Sequence, residues 1–448
     1  MADKKVSGLP LLGSGSLDPA ADFLLIADVS AALSKKIKPS GLFSGALPFA
    51  EPVFDFTKGT LPSGVSFARA STGYRYNSFG VLVSEATDVA RFDYSPAALT
   101  LRGLLIEGAG TNLVRQSADR TTTWASTRAT RTANVATAPD GTVAMGRLTE
   151  DASATNNHFT DCGVFSTTSG VYYVASVYAK AETRSWFYIL LQTNFAAFTR
   201  TWFNVTAGAG AIGTTGGGVV ANFIEDVGVG IYRCTVIAPA TATGGSASVR
   251  LGLASADGIT NYTGDGTSSI LFWGADCQAS DAVLSHVPTT TASVTRAQDT
   301  ALITNSLVLT DRCWVIRART PRRVVGSSTP TVFQVDDGSE SNRLLVRYAD
   351  GGTLNAIATV AGATQCNIAT AAVAADTDFT VSVRWADNNF AVSLNGGAII
   401  TDLAGTVPAN LTAARAGRGF STGYWNSTIK TIETRRTATD AELVLLSS

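Results

Sequence analysis

Apolar and polar positions alternate in short runs along most of this chain, and a helical period almost never replaces the alternation. Between residues 116 and 295 the stretches TSGVYYVASVYAKA, RSWFYILLQT, RTWFNVTAG, IYRCTVIAPA, ASVRLGLA and SSILFWGADCQA are each bounded by Gly, Asn, Asp, Ala or Thr. In the first of them Tyr173, Ala175 and Val177 fall on one strand face, and Val174, Ser176 and Tyr178 on the other. Runs of this kind predict a jelly-roll-like sandwich over 116–299. Residues 300–448 repeat the pattern in RCWVIRART, PTVFQVDDG, NRLLVRYAD, LNAIATV, FTVSVRW, FAVSL and STIKTIETRR, which predict a second sandwich. Asn395–Gly396 suits the two positive-φ positions of a tight hairpin, and Asp387–Asn388–Asn389 marks another turn. At the C-terminus, Thr or Asp ahead of an Ala/Glu/Leu run predicts one short capped helix.

The first 115 residues differ. Over 51–115, Phe54, Phe56, Phe67, Tyr74, Tyr76, Phe79, Phe92 and Tyr94 crowd between the turn signals Leu61–Pro62–Ser63–Gly64, Ser71–Thr72–Gly73 and Ser95–Pro96. This predicts short aromatic strands in a segment too small to enclose a core alone, so its apolar faces are expected to meet across subunits. Residues 1–50 hold brief apolar runs broken by Gly, Pro and Ser, and are expected to order only against a partner. There Lys35, Lys36 and Lys38 read either as a phosphate-binding patch or as a solvated turn.

Composition removes several functions. The chain has 34 Lys and Arg against 35 Asp and Glu, a net charge of -1, which argues against a nucleic-acid binder. Hydrophobic residues at 45% are enough for sizeable cores. His158 and His286 are the two histidines, too few for a His-rich metal site. Cys162, Cys234, Cys277, Cys313 and Cys366 form no CxxC pair and read as buried thiols. MADKK is not followed by a signal-peptide core, because Leu24–Ile26 is short and Asp22 and Asp28 flank it. No apolar run approaches the length of a membrane span, so no membrane insertion is expected.

FARASTGYRYNSFGVLVSEATDVARFDYSP and LRGLLIEGAGTNLV, within 67–114, resemble a segment widespread in tailed-bacteriophage tail fibres and related virion proteins. The family form starts R-A-S/T-x-G, continues through a G-V-L strand and an R-F-D-Y/H-D-P turn, and closes on R-G-L-L-I-E-x-x-x-T-N-L. Trp124, SVYAKA, Trp202–Phe203, YRC, YTGDGTSSILFWGADCQA and VPTTTASVTRAQD resemble the carbohydrate-binding-type jelly roll of those proteins. FTVSVRWADNNFAVSLNGG, RAGRGFSTGYWNSTIKTIETRR and TDAELVLLS resemble their concanavalin A-like/LamG sandwich. The resemblance implies a non-enzymatic, usually trimeric appendage on the phage particle surface. It implies an attachment arm at 1–50, with Leu24, Ile26, Lys35, Lys36 and Ile37 as anchoring positions on other virion proteins. It also implies a connecting and oligomerisation segment at 51–115, and contact with host polysaccharide. A stand-alone lectin and a glycan-degrading tailspike enzyme are the alternatives. The enzyme is disfavoured by the lack of β-helix periodicity.

Sugar binding calls for an aromatic platform edged by polar groups. Trp186 and Tyr188 share one strand face, and Tyr424 and Trp425 lie in a Gly/Ser/Asn-rich loop, so these four are the expected exposed aromatics. Trp273, Trp314 and Trp385 sit mid-strand and read as core. Asp265, between Gly264 and Gly266, reads as a Ca²⁺ or sugar loop or as a tight turn. Asp336 and Asp337, with Glu340, read as calcium ligands or as a hairpin turn. No cofactor is expected beyond such a structural Ca²⁺. For a glycosidase pair, Glu225–Asp226 would point to opposite faces, Glu433 is followed by Arg435 and Arg436, and Asp93, Glu107, Asp119 and Glu150 find no partner by spacing. His158 and Cys162 form a conceivable nucleophile pair in a loop context, and His286 reads as structural.

Overall fold

The computed structural model describes the backbone of 24–28 and 33–37, and residues 53–118, 123–324 and 328–448. The expected all-β class is what it shows, with half of the described residues in strands and 4% in helix. No helix among the described residues is long and apolar enough to cross a membrane. The chain divides into two units, Met1–Val53 and Phe54–Ser448. In the first, Leu24–Asp28 pairs antiparallel with Leu33–Ile37, placing Leu24 opposite Ile37 and Ile26 opposite Lys35. Lys35 and Lys36 are thus strand residues rather than the expected turn, and Lys38 lies outside the described residues.

The jelly roll packs two antiparallel sheets face to face. One runs in the order Ala125–Thr127, Phe159–Asp161, Gly244–Ala254, Trp186–Gln192, Arg200–Asn204, Ala211–Thr215. The other runs Ala129–Thr137, Val143–Glu150, Ser269–Ala279, Tyr172–Ala181, Ile231–Pro239, Ala221–Asp226. Tyr173, Ala175 and Val177 face the shared core, as their alternation predicts. Val174 and Tyr178, on the opposite face, are buried as well, because other parts of the chain cover that side. The apolar run there is nearly continuous because both faces of the strand leave water.

The second sandwich is discontinuous in sequence. One of its sheets ends Ala413–Ala416, Thr300–Ile303, Val65–Ala68, and the other ends Ser427–Arg435, Leu101–Ile106, Arg91–Tyr94. Strands from the aromatic segment therefore complete sheets whose remainder lies some 200 residues later, as the Leu302–Ser66 register shows with its separation of 236. Gly103 makes one junction possible: it sits at φ +114°, and a side chain there would meet the Ile429 carbonyl at 2.2 Å. The hairpin Gly73–Tyr76/Leu82–Glu85 instead lies on the jelly roll, where the Tyr76 and Tyr178 hydroxyls are 3.1 Å apart. Phe54, Phe56 and Phe92 are buried in the sandwich core and Tyr76 against the jelly roll. For these rings this corrects the expectation that the apolar faces of 51–115 meet across subunits, since the same chain covers them, while Phe79 stays 81% exposed. Asn395 and Gly396 have φ of 49° and 69°, as the hairpin reading requires. Thr439 caps the helix Asp440–Ser447 through a capping box with Glu442.

A buried ion cluster ties these parts together. Arg69, Arg91, Arg296, Glu107 and Asp299 have side chains at most 3% exposed. Arg91 pairs with Glu107 at 2.7 Å and also with Asp299, Arg69 reaches Asp299 at 3.3 Å, and Arg296 reaches Glu107 at 3.4 Å. Ser285, from the end of the jelly roll, donates its amide and hydroxyl to Glu107 at 2.6 and 2.7 Å. Arg69 also donates to the carbonyls of Ser71, Ala86 and Val89. Burial alone would raise the Glu107 carboxyl, but Arg296 and Arg91 outweigh it and hold the group down at about 2. All five residues, Arg69, Arg91, Glu107, Arg296 and Asp299, occupy charged positions of the R-A-S-T-G, R-F-D-Y, R-G-L-L-I-E and T-R-A-Q-D motifs. Those motifs thus serve the scaffold. Removing one partner from such a cluster strands the opposite charge in the interior. Arg91→Met is expected to destabilise the Phe54–Ser448 unit by about 3–5 kcal/mol in urea unfolding, and a loss below about 1 kcal/mol would remove the cluster from this role.

Candidate functional site

Strand alternation and register build an aromatic and basic face on the outside of the first jelly-roll sheet. Phe187, Ile189 and Leu191 point into the core, so Trp186, Tyr188 and Leu190 point outward. Register aligns Tyr188 with Trp202 on one side and Gly252 on the other, and Leu190 with Arg200 and Arg250. Phe159 lies opposite Gly252 and Asp161 opposite Arg250. The face therefore carries an aromatic row, Phe159–Tyr188–Trp202, beside a charged row, Asp161–Arg250–Leu190–Arg200. Gly252 is required beneath the ring, because a Cβ there would meet Tyr188 at 2.0 Å.

The two arginines differ in partnership. Arg250 forms a two-pronged pair with Asp161 at 2.8 and 2.8 Å, and stacks 3.3 Å from the Phe159 centroid. Burial works against its charge, but Asp161 outweighs burial and raises its pKa. Arg200 lies over three rings, 4.6 Å from Trp202, 5.2 Å from Phe198 and 5.9 Å from Tyr188. Burial lowers its pKa, opposed by Tyr188 alone. Phe198 is 66% exposed and sits at φ 62°, a conformation rare for a bulky residue. The loop after Gly244–Ala254 borders the face, with the Ile259 carbonyl accepting from Trp202 Nε1 at 3.4 Å.

Of the expected sugar-binding aromatics, Trp186 is half-buried on this face. Tyr188 is on the face but only 1% exposed, beneath its neighbours, which corrects its expected exposure. Trp425 is corrected more fully: it is enclosed in the second sandwich, 5.9 Å from Phe379 and 6.5 Å from Tyr348. Tyr424 is half-buried, with Arg418 5.6 Å above its ring. Tyr424 and Trp425 do not form an exposed platform. Trp273, Trp314 and Trp385 are buried. Phe159, Phe198, Arg200, Trp202 and Arg250 went unread. The RTWFN alternation puts Arg200 and Trp202 on one face, but only strand register brings them to Tyr188.

The carboxylates expected as metal ligands are committed locally. Asp265 accepts from the amides and hydroxyls of Thr267 and Ser268, which hold its carboxyl well below the usual range. Asp336 is buried and pairs with Arg415 at 2.7 Å, and Asp337 accepts from Ser339 and Asn342. These contacts support the turn readings, and among the described residues no three His, Cys, Asp or Glu converge. Glu433 pairs with Arg435. Cys162 is buried, accepts from the Val249 amide, and has its thiol pushed up to about 12 by burial. All five cysteines are buried.

A cavity of about 90 Å³ opens where the jelly roll, the 73–107 segment and the second sandwich meet. Glu225 anchors it, paired with Arg322 at 2.6 and 2.7 Å and with Arg102 at 3.0 Å. Burial opposes the Glu225 charge, yet these arginines hold its carboxyl well below the usual range. Arg322 continues to Asp376 at 2.9 Å, so a chain of ion pairs crosses from one sandwich to the other. These pairings leave the cavity acids to a joining role.

No protein-family model matches the sequence, and no curated protein does. Solved structures are similar in part. The CBM40 module of the Ruminococcus gnavus IT-sialidase shows 14% identity and a TM-score of 0.26, covering 32% of this chain and 84% of that one. The same module bound to α2,3-sialyllactose shows 14% and 0.28, covering 33% and 88%. The native heptameric SAP-like pentraxin from Limulus polyphemus shows 14% and 0.23, covering 31% and 70%.

Asp93, at the cavity wall, is raised to about 6, chiefly by burial and in spite of Arg102 and the Tyr76 amide. The folded protein thus holds this proton more tightly than the unfolded chain, whose carboxyl titrates near 3.8. Stability should fall as pH rises from about 4 to about 6 and level off above that window. Glu107 acts with the opposite sign below about 4.5, where its depressed carboxyl loses stability on acidification. Asp93→Asn is expected to flatten the fall between about pH 4 and 6 in urea unfolding across that range. An unchanged slope would contradict the assignment.

Proposed function

We propose that this chain is a structural, non-enzymatic component of a phage virion appendage, a tail fibre, spike or head fibre, that presents its jelly-roll sheet face to host-surface glycans. The observation that carries the binding reading is the outer face itself, where the half-buried Trp186 and the exposed Phe198 lie over the buried Tyr188–Trp202 row and are flanked by Arg200, Arg250, Asp161 and Gln192. A pyranose offers an apolar C–H face to such rings and hydroxyls to such polar groups. The appendage reading is supported by the motif resemblance across 67–114 and downstream. The separation of Met1–Val53 as its own unit is what an attachment arm requires. On this reading the arm docks on other virion proteins, the chain assembles as a homotrimer, and it resides on the particle surface.

The tests separate these parts. On a glycan array, Phe198→Ala should weaken binding by up to about ten-fold, in line with the 0.5–1.5 kcal/mol of an aromatic contact, without lowering the melting temperature. Array binding that is absent, or unchanged in the variant, would overturn the glycan reading. Antibodies against the chain should label intact particles, and sedimentation should give the mass of three chains. Unlabelled particles would overturn the appendage reading, and a single-chain mass the trimer. Release of reducing ends from host polysaccharide would overturn the non-enzymatic reading.

A further inference from the structure

We infer that the jelly-roll face selects acidic glycans and that Arg200 is the residue that reads the sugar carboxylate, an inference that rests on the glycan-binding reading above. The argument begins with charge pairing. Around the jelly roll, Arg147 pairs with Glu182, Arg184 with Glu150 and Arg250 with Asp161, while Arg128 and Arg233 donate to hydroxyl or carbonyl oxygens. Arg200 has no carboxylate partner among the described residues, and its contacts are the rings of Trp202, Phe198 and Tyr188. Its Nε is buried without a hydrogen-bond partner.

A guanidinium in this state is prepared for an anion. Aromatic faces hold its plane without neutralising it, so part of its ordering cost is met before any ligand arrives. Water is partly excluded around it, which strengthens an incoming charge-assisted hydrogen bond. The planar fork matches a carboxylate in two-pronged geometry, as Arg250 and Asp161 demonstrate one strand pair away. Phe198 adds a second, independent sign. Its ring is 66% exposed beside Arg200 on a backbone held at φ 62°, a strained conformation of the kind retained at binding sites. Ring and guanidinium lie together in one patch, 5.2 Å from ring centroid to guanidinium carbon, a stacking surface beside a cation. The chain as a whole carries a net charge of -1, so this is local recognition and not a general attraction for polyanions.

The test uses the full chain with polygalacturonate and its fully methyl-esterified form, which keep the same backbone but differ in charge, alongside an array of neutral glycans. Polygalacturonate is expected to bind at least ten-fold more tightly than the ester, with the difference shrinking at high salt. Arg200→Gln should bring acid binding down to the ester level, and Arg200→Lys should recover part of it. Phe198→Ala should weaken both polymers alike. Equal affinity of the native chain for acid and ester, or binding only to neutral glycans, would overturn the acid preference while leaving the glycan face standing. This comparison needs no variant to fold. Acid selectivity that survives Arg200→Gln in a protein of unchanged melting temperature would overturn the role of Arg200. Failure to bind either polymer and every array glycan would overturn the glycan reading as well.

Discussion

Three arginines and two carboxylates, almost wholly withdrawn from water, decide how distant stretches of this chain meet. Desolvating Arg69, Arg91, Arg296, Glu107 and Asp299 is expensive, and only their mutual placement offsets the expense. A shift of any contributing segment would leave a charge unpaired in the interior. The cluster therefore acts on register more than on net stability. It fixes the segment before the jelly roll against the segment after it, and Ser285 draws the jelly roll's own exit into the same knot. The second chain of ion pairs, from Arg102 through Glu225 and Arg322 to Asp376, repeats the device at the cavity between the sandwiches.

Such bracing matters for a sheet face that recognises a ligand. The outer jelly-roll residues lie on paired strands, and each ring has a defined neighbour across the ladder. Tyr188 rests on Gly252, Arg250 on Phe159, and Arg200 on Trp202. A surface ordered in this way loses little side-chain freedom when a sugar settles on it. The cavity between the sandwiches has the opposite character, because Glu225 and Asp376 there are already paired with arginines of the same chain.

Much of the fold was legible because alternation is a local property. The strands around Tyr173, Trp314 and Val381, the Asn395–Gly396 hairpin and the Thr439 cap all follow from neighbouring residues. What alternation does not carry is pairing. Nothing local in LRGLLIE says that Leu104 will lie opposite Ile429, and so the aromatic segment read as a free-standing connector. The site shows the same division. Trp186 and Tyr188 were legible as one strand face. Their exposure was not, because it depends on what the adjacent strands and the bordering loop lay over them. Trp425 looked like a loop aromatic by its Gly, Ser and Asn neighbours, but its ring turns inward toward Phe379. Asp265 and Asp337 matched both readings in sequence, and their hydrogen bonds to residues two to five positions on support the turns.

The interrupted course of the second sandwich has a consequence for how the protein is made. Its strands Val65–Ala68, Arg91–Tyr94 and Leu101–Ile106 leave the ribosome well before the strands they pair with, and the whole jelly roll is synthesised in between. At translation rates of roughly 5–20 residues per second, those early strands wait on the order of tens of seconds for their partners. Through that interval their open edges and the rings of Phe54, Phe56 and Phe92 lack the surfaces that later enclose them. Such exposed edges are templates for pairing with another nascent chain on the same messenger. The jelly roll, whose strands all lie within one continuous stretch, can close first and give the waiting hairpin a surface to rest on. Folding order is thereby written into the position of the insertion.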